Sequence, residues 1–298
     1  MTERLRSRGP DHGGSYSDGS LGFGHRRLSI IDLSEKSNQP MIDPELGLAL
    51  VFNGTIYNYP DLKRQLQSRG YHFFSDGDTE VILKAYREWG RQCVEKLHGM
   101  FAFAVWDMRE KSLFLARDRF GIKPLYWSSN NNEFRFASSL QALLAAGDVD
   151  KSIDASGLHF LYTLHAVIPA PGTILNGVRK LEPAHWMQVD ARGGISKGRY
   201  WQLDATRPGS PLTEEEWIQA IHDALRHAVQ TRNDIADVPV GLLLSGGLDS
   251  SLLVALLAEA GVSDLHTFTV GFEDQPEEKG SEFEYSDQVV ERYRPDHH

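Results

Sequence analysis

The chain has 298 residues, with 31 basic and 41 acidic side chains and a formal net charge of −10. Its longest basic run is Arg26-Arg27, so it lacks the basic patch typical of nucleic-acid-binding proteins. The single cysteine, Cys93, excludes an intrachain disulfide and favours a reducing, cytoplasmic compartment. No apolar run approaches the ~18 residues of a membrane helix, so we expect a soluble protein of about two domains.

The first part of the chain mixes predicted strands and helices. Leu48–Phe52 is a short apolar run followed by the turn signal Asn53-Gly54, a pattern typical of a buried strand that ends at a turn. Residues 60–69 and 79–89 are predicted helices, because each has apolar residues on one face and ends at a glycine. Further strands are predicted at 101–106, 112–116 and 134–137, the first two as a hairpin.

A change of pattern divides the chain near residue 204. Residues 204–212 contain two prolines, Pro208 and Pro211, and one glycine, Gly209, with little apolar character, which is typical of a linker.

A helix start follows this linker. Thr213 and Glu216 form a capping box, and apolar residues then recur every four positions from Trp217 to Val229. After this helix the pattern becomes strand, loop, helix and strand, at residues 240–244, 245–248, 249–260 and 266–270. This alternation predicts a parallel α/β sheet. The predicted organisation is therefore a first domain at 1–203, a linker at 204–212 and a second domain at 213–298.

The segment 245–250 has the character of a phosphate-binding loop. It reads Ser-Gly-Gly-Leu-Asp-Ser and lies between the predicted strand and helix. Adjacent glycines let the backbone approach an anion closely, and the free N–H groups at a helix start favour phosphate. It is not a Walker loop, because no Gly-Lys-Ser/Thr occurs. The alternative is an ordinary Ser- and Gly-rich turn.

This loop resembles the Ser-Gly-Gly-x-Asp-Ser loop of the N-type ATP-pyrophosphatases. The resemblance implies ATP as a substrate. It also implies ATP contacts at these positions: Leu244, Ser245, Gly246, Gly247, Asp249, Ser250 and Val270. Asp249 is the expected ligand of Mg²⁺, because proteins usually bind this ion through one or two carboxylates together with the phosphates of the substrate. The alternative role of Asp249 is as N-cap of the following helix.

Six motifs in the first domain occur in one order along the chain: Arg8–Asp11, His25–Asp32, Asn53–Asn58, Gly77–Ile82, Gly99–Ala104 and Arg117–Tyr126. The series resembles the class II glutamine amidotransferase domain of asparagine synthetases, over nearly the whole chain. The resemblance implies an α+β N-terminal-nucleophile-type glutaminase domain, with antiparallel sheets sandwiched by helices. The start of an α/β parallel-sheet PP-loop ATP-pyrophosphatase domain follows it.

The resemblance assigns roles to four residues of the first domain. Arg27 matches the guanidinium that grips the glutamine α-carboxylate, and Asp78 matches the carboxylate that holds the α-ammonium. The side chain of Asn53 and the N–H of Gly54 match the oxyanion hole. The alternatives are a surface ion pair for Arg27, a helix cap for Asp78 and a plain turn for Asn53-Gly54.

Three features depart from the family pattern. The family's nucleophile is an N-terminal cysteine that opens a Cys-Gly-Ile strand, whereas this sequence begins Met1-Thr2-Glu3. Cys93 is predicted to be a small buried hydrophobic residue instead. Thr55 stands where glutamate is common, and the chain stops at Asp296-His297-His298. We therefore expect a fragment that lacks the nucleophilic cysteine and the C-terminal region and is inactive alone as a glutaminase.

The implied function is amino-acid biosynthesis by a glutamine-hydrolysing carbon–nitrogen ligase. Ammonia from glutamine would pass to an ATP-activated carboxylate, aspartate by default. Three segments look more like the N-acetylglutaminylglutamine amidotransferase branch: His165–Pro171, Glu282–Asp287 and Asp296–His298. The alternatives are a module that only binds glutamine or ATP, an ammonia-dependent synthetase, and another PP-loop enzyme such as a NAD or GMP synthetase. No nucleic-acid or membrane partner is expected. A homodimer is possible, and the sequence does not decide this.

Overall fold

The structure is a computed structural model that describes residues 1–130, 133–206, 209, 212–272 and 283–298. The chain forms two compact units, Met1–Asp204 and Ala205–His298. The predicted linker includes residues 207, 208, 210 and 211, and these lie outside the described residues, as does Glu282. Within the described ranges, no helix combines the length and apolar character that crossing a membrane requires.

The first unit contains strands β1 to β11 and helices α1 to α5. The strands are β1 (His12–Asp18), β2 (Leu21–Arg27), β3 (Met41–Asp43), β4 (Leu48–Ile56), β5 (Gly99–Asp107), β6 (Ser112–Arg117), β7 (Tyr126–Ser129), β8 (Phe134–Ala137), β9 (Arg179–Lys180), β10 (His185–Val189) and β11 (Ile195–Arg199). The helices are α1 (Tyr59–Gln67), α2 (Asp78–Trp89), α3 (Cys93–Lys96), α4 (Leu140–Leu144) and α5 (Ala155–Thr163).

A six-stranded antiparallel sheet forms the centre of this unit. Its strand order is β11-β10-β6-β5-β4-β3, and the predicted hairpin forms its β5–β6 pair. The prediction that β4 ends at Asn53-Gly54 was wrong, because β4 continues to Ile56. Gly54 lies opposite Phe101 of β5, and this long-range pairing keeps the backbone extended where the local sequence favours a turn.

Both faces of the six-stranded sheet are covered. One face packs against α1 and α2 through a core that includes Leu62, Ile82 and Phe103. The other face packs against the β1–β2 hairpin and residues of the β8-β7-β9 sheet, with Phe23 and Phe136 at the contact. Helix α4 packs against β7 and β8. The predicted antiparallel sheets with helices around them are therefore confirmed.

A buried ion pair fixes α2 against β3. Lys84 Nζ lies 2.5 Å from Asp43 Oδ2 and 3.5 Å from Glu80 Oε1, and all three side chains are buried. Glu80 in turn accepts hydrogen bonds from the N–H groups of Phe74 and Ser75. Because buried charges are costly unless they are paired, this network restricts how α2 can sit and so positions Asp78 at its start.

The second unit contains helices α6 (Glu214–Asp234), α7 (Leu248–Glu259) and α8 (Phe283–Tyr293) and strands β12 (Gly241–Leu243), β13 (His266–Phe268) and β14 (Asp296–His297). The strands form a parallel sheet in the order β12-β13-β14, which confirms the predicted α/β start. The sequence predicted two strands here, and the structure adds β14. Its two polar residues carry no periodic signal, so only the pairing with β13 reveals it.

The predicted capping box at the start of α6 is present. Thr213 Oγ1 accepts from the Glu216 N–H, and Glu216 Oε2 accepts from the Thr213 N–H at 2.8 Å. We expect Thr213→Ala to cost this helix end about 1 kcal/mol. Amide hydrogen exchange in the first turn of α6 should accelerate about fivefold. Thr231→Ala, inside the same helix, is the control, and equal exchange in both variants would contradict the capping role.

Candidate functional site

A cavity of about 670 Å³ lies within the first unit, in the size range of small-molecule sites. We call it the central cavity. Its lining includes Arg27, Asn53, Gly54 and Asp78. The structure thus brings together four residues that are far apart in sequence and that the motifs singled out. They come from three elements: the end of β2, the outer half of β4 and the first residue of α2.

The N–H of Gly54 is directed to a free edge of β4. The N–H groups two residues before and two residues after Gly54 point away from β5. Phe52 donates to Gln39 Oε1 at 2.6 Å, and Ile56 donates to Asp78 Oδ2 at 2.9 Å. Alternate residues of an antiparallel strand direct their N–H groups to the same side. The Gly54 N–H therefore lies between these two, and no described residue accepts a hydrogen bond from it.

Gly54 is required at this position for steric reasons. Its φ is +156°. A Cβ there would lie 2.1 Å from the carbonyl oxygen of Met100 and 2.7 Å from Cα of Phe101. Both atoms belong to the backbone of β5, which cannot move without breaking the ladder. The close approach of the two strands explains why a glycine stands inside a strand.

Asn53 presents a side-chain amide to the same part of the cavity. No described residue forms a hydrogen bond with this amide. The peptide before it is held by His25, whose Nε2 lies 3.0 Å from the Phe52 carbonyl oxygen. Burial lowers the pKa of His25 to about 4, so the neutral imidazole donates from Nε2. Sequence reasoning gave His25 and Gln39 no role, because neither contact is local in sequence.

Arg27 is a buried cation whose hydrogen bonds go to neutral oxygens. Its terminal nitrogens donate to these acceptors: the carbonyl oxygens of Ile31, Asp32 and Ser34 and Oδ1 of Asn38. Burial lowers the pKa of Arg27, although Asp32 and Asp78 counteract this. No described carboxylate lies within ion-pair distance of it, so the alternative of a surface ion pair is wrong.

Asp78 combines a structural contact with a place on the cavity wall. It is the first residue of α2, and Gly77 is the N-cap. Its carboxylate accepts from the Ile56 N–H and also from N–H groups at the helix start. Burial raises the pKa of Asp78 to about 6, although these hydrogen bonds and Arg27 lower it. The helix-cap alternative was wrong in position, because Gly77 is the N-cap, although the Asp78 carboxylate does accept from N–H groups of the first turn.

The segment that surrounds Arg27 is tied to the start of α2. Asp32 accepts hydrogen bonds from the hydroxyls of Ser34 and Ser37, each at 2.6 Å, and from the N–H of Asp76 at 2.9 Å. A Cβ on Gly77 would meet Ser37 Oγ at 2.7 Å. These contacts set the spacing between the Arg27 guanidinium and the Asp78 carboxylate.

Cys93 does not contribute to the cavity. It begins α3 and is fully buried in the core between the helices and the sheet. Burial raises the pKa of its thiol well above the usual value, so the reactive thiolate is strongly disfavoured. This agrees with its prediction as a small buried hydrophobic residue. Thr55 is also buried and lines the central cavity.

The phosphate loop, residues 245–250, joins β12 to α7 in the second unit. Ser245 Oγ lies 3.2 Å from Ser250 Oγ, and the Gly247 N–H donates to Ser245 Oγ at 3.3 Å. Gly246 has a φ of +81°, and a Cβ there would lie 2.5 Å from Tyr285 Cβ. The loop therefore needs glycine both for its backbone conformation and for its contact with α8.

The predicted ATP contacts differ in their exposure. Leu244 is buried in the core of the second unit, and its N–H donates to the Phe268 carbonyl oxygen at 2.8 Å. Val270 is exposed, as is Leu243, the residue before Leu244. Asp249 is exposed in the first turn of α7, whose N-cap is Gly247, so the N-cap alternative for Asp249 was wrong. A free carboxylate beside hydroxyl and N–H donors fits Mg²⁺ that arrives with phosphates.

Residues 1–201 match the sequence model of the family described as glutamine amidotransferase domain, so the chain belongs to that family. Residues 220–298 match the model described as asparagine synthase. The two matches fall in the first and second units, respectively.

Two of the relatives are named as glutamine-hydrolysing asparagine synthetases, one of them as putative. Asparagine synthetase [glutamine-hydrolyzing] 3 of Bacillus subtilis is 36% identical over 281 residues, which cover 92% of this chain and 45% of the relative. Putative asparagine synthetase [glutamine-hydrolyzing] 2 of Methanocaldococcus jannaschii is 36% identical and covers 100% of this chain and 60% of the relative. The chain thus spans about half the length of these relatives.

Among solved structures, glutamine phosphoribosylpyrophosphate amidotransferase from B. subtilis is similar over 93% of this chain and 75% of its own, with 15% identity and a TM-score of 0.45.

Proposed function

We propose that the central cavity binds free glutamine and that the chain carries the glutaminase site and part of the ATP site of a glutamine-hydrolysing, asparagine-synthetase-type amidotransferase. One observation carries this proposal. A buried guanidinium, a buried carboxylate, a side-chain amide and an unpartnered backbone N–H line the same cavity. Glutamine offers a complementary group to each of them.

Arg27 holds the glutamine α-carboxylate. Its present acceptors are neutral oxygens, and a charge-assisted hydrogen bond to a carboxylate is roughly twice as strong as a neutral one. The carboxylate therefore displaces one or two of these acceptors when glutamine binds. The buried surroundings increase the gain, because water screens the pair only weakly.

Asp78 holds the α-ammonium, and Asn53 with Gly54 holds the side-chain amide oxygen. When a thiolate attacks the amide carbon, negative charge develops on this oxygen, and the Gly54 N–H and the Asn53 amide stabilise it. Ammonia leaves after the amide nitrogen takes a proton. Water then hydrolyses the thioester and releases glutamate. An N-terminal cysteine supplies the thiolate in this proposal, because Cys93 is fully buried.

The second unit binds ATP at the phosphate loop, with Mg²⁺ held by Asp249 and the phosphates. Ser245, Ser250 and the N–H groups at the start of α7 contact the phosphates. ATP activates a carboxylate, and ammonia from the first unit attacks it to form an amide. The acceptor is aspartate or N-acetylglutaminylglutamine. A competition of both acceptors for ATP-dependent amide formation, read by mass spectrometry, distinguishes them.

Glutamine-dependent ammonia release tests the glutaminase proposal. We compare this chain with a version that carries a Cys-Gly-Ile start, and with the same version in which that cysteine is alanine. Only the cysteine version should release ammonia. Release by the chain alone would contradict the assignment of the nucleophile, and release by none of the three would contradict the glutaminase reaction. Glutamine binding without release would favour the alternative of a binding module.

Glutamine affinity should depend on pH through Asp78. Its pKa of about 6 means that it is ionised at pH 7.5 and accepts a proton as the pH falls below 6. Glutamine should bind with constant affinity from pH 7 to 8. Below its pKa, affinity should fall by up to about tenfold per pH unit, because the protonated carboxyl no longer attracts the ammonium. Calorimetric titrations between pH 5 and 8 measure this, and a flat profile would contradict it.

A further inference from the structure

We propose that His266, Asp296 and His298 form a binding site for a transition-metal dication such as Zn²⁺ on the parallel sheet of the second unit. We call these three residues the histidine cluster. Each offers one ligand atom, and these atoms all lie within 4.8 Å of one another. None of the three residues lines the central cavity or belongs to the phosphate loop.

The sheet itself places the three side chains on one face. His266 of β13 lies directly opposite Asp296 of β14. His298 is two residues beyond Asp296, so its side chain points to the same face. The intervening His297 points to the opposite face, where its Nδ1 lies 2.9 Å from Thr267 Oγ1.

Backbone hydrogen bonds to the β13 segment hold both ligand residues of the last segment, Asp296 and His298. The Asp296 N–H donates to the Leu265 carbonyl oxygen at 2.9 Å, and the His298 N–H donates to that of Thr267 at 2.9 Å. The carbonyl oxygen of His298 accepts from the Thr269 N–H at 3.0 Å. The backbone positions of these ligand residues are therefore fixed by the sheet, as a preorganised metal site requires.

The distances fit a metal ion. Asp296 Oδ2 lies 3.2 Å from His266 Nδ1 and 3.6 Å from His298 Nε2. Two ligands bound about 2.0–2.1 Å from Zn²⁺ in tetrahedral geometry are about 3.3 Å apart. The ligand nitrogens of the two imidazoles lie within 4.8 Å of each other, so side-chain rotation must bring them closer by up to about 1.5 Å. Stacking of the His298 ring on Phe268, at 5.0 Å, already restricts one ring.

Asp264 adds an outer contact that favours the metal-binding tautomer. His266 Nε2 lies 3.4 Å from Asp264 Oδ1. When Nε2–H donates to this carboxylate, Nδ1 keeps its lone pair for the metal, and this arrangement is typical of metal-bound histidine. Two imidazoles with one carboxylate favour Zn²⁺ or a similar transition metal over Mg²⁺, which prefers oxygen ligands. At least one coordination position is left for water or another ligand.

Zinc titration of the tag-free chain tests the site. Calorimetry should show one Zn²⁺ per chain at pH 7.5, with weaker binding at pH 5.5, because metal-bound imidazoles must be unprotonated. His266→Ala and His298→Ala should each weaken binding at least tenfold. His227→Ala, an exposed histidine of α6, is the matched control and should leave binding unchanged.

Asp264→Asn keeps all three ligands and should weaken Zn²⁺ binding by about 10–100-fold. Absorption of the Co²⁺-loaded chain should show a visible d–d band that the ligand variants lose. Far-UV circular dichroism confirms that each variant is folded. Absence of Zn²⁺ binding by the wild-type chain, or equal binding by the wild type and the His266 and His298 variants, would overturn the proposal.

Discussion

Replacing Asp78 by asparagine should raise the dissociation constant for glutamine at least about 100-fold at pH 7.5. Asparagine keeps an oxygen that can accept from the Ile56 N–H but loses the charge that the α-ammonium needs. Removing one partner of a buried ion pair costs about 3–5 kcal/mol, and every 1.4 kcal/mol changes affinity about tenfold. The pH dependence of binding below pH 7 should disappear in the same variant.

The stability of Asp78→Asn separates lost binding from lost structure. Because the folded pKa of Asp78 is raised to about 6, ionising it opposes folding, and this cost develops as the pH rises from about 4 to 6. Removing the charge should therefore leave the free energy of unfolding at pH 7.5 unchanged or increase it. Asp76→Asn is the control, since the Asp76 carboxylate is exposed and pairs with Lys63. A glutamine affinity within threefold of wild type would contradict the ammonium contact.

Replacing Gly54 by alanine should lower the free energy of unfolding of the first unit by at least about 3 kcal/mol. The added Cβ would lie 2.1 Å from the Met100 carbonyl oxygen, so β4 and β5 would have to separate at the centre of the sheet. Strained backbone and broken ladder contacts place such a change among the most destabilising single substitutions. Urea denaturation monitored by tryptophan fluorescence measures the loss.

Gly22→Ala is the matched control for this variant. Gly22 lies in β2, also lines the central cavity, and would meet no atom within 4 Å if it carried a Cβ. Its substitution should change the free energy of unfolding by less than about 1 kcal/mol. A Gly54→Ala protein as stable as Gly22→Ala would show that β5 does not constrain β4 at Gly54 as described. If Gly54→Ala does not fold while Gly22→Ala does, this is the expected destabilisation in its strongest form.

The sequence predicted those elements whose signals, such as apolar periodicity and helix caps, lie within the element itself. The expected helices at 60–69 and 79–89 are α1 (Tyr59–Gln67) and α2 (Asp78–Trp89), because their apolar periodicity and closing glycines act locally. The Thr213 capping box is present for the same reason. The turn expected at Asn53-Gly54 was wrong because pairing with β5, nearly fifty residues away in the chain, overrides the local preference.

The site was predictable in its residues but not in its contacts. The resemblance of the ordered motifs to a known family singled out Arg27 and Asp78, and both line the central cavity. The neutral acceptors around Arg27 and the contact of His25 with the Phe52 carbonyl depend on how distant loops pack. No composition or periodicity signal marks them. The histidine cluster likewise depends on the register of β13 and β14, which only the folded sheet defines.

The proposed glutamine hydrolysis and ammonia transfer depend on one claim, which is that the central cavity recognises free glutamine by its α-carboxylate, α-ammonium and side-chain amide. Isothermal titration of the tag-free chain with L-glutamine tests it most directly. Parallel titrations use glutaramate, which lacks the α-ammonium, and the α-amide of glutamine, which lacks the α-carboxylate. We expect saturable binding of one glutamine per chain and much weaker binding of both analogues. A folded chain that binds no glutamine, or that binds the analogues equally well, would contradict it.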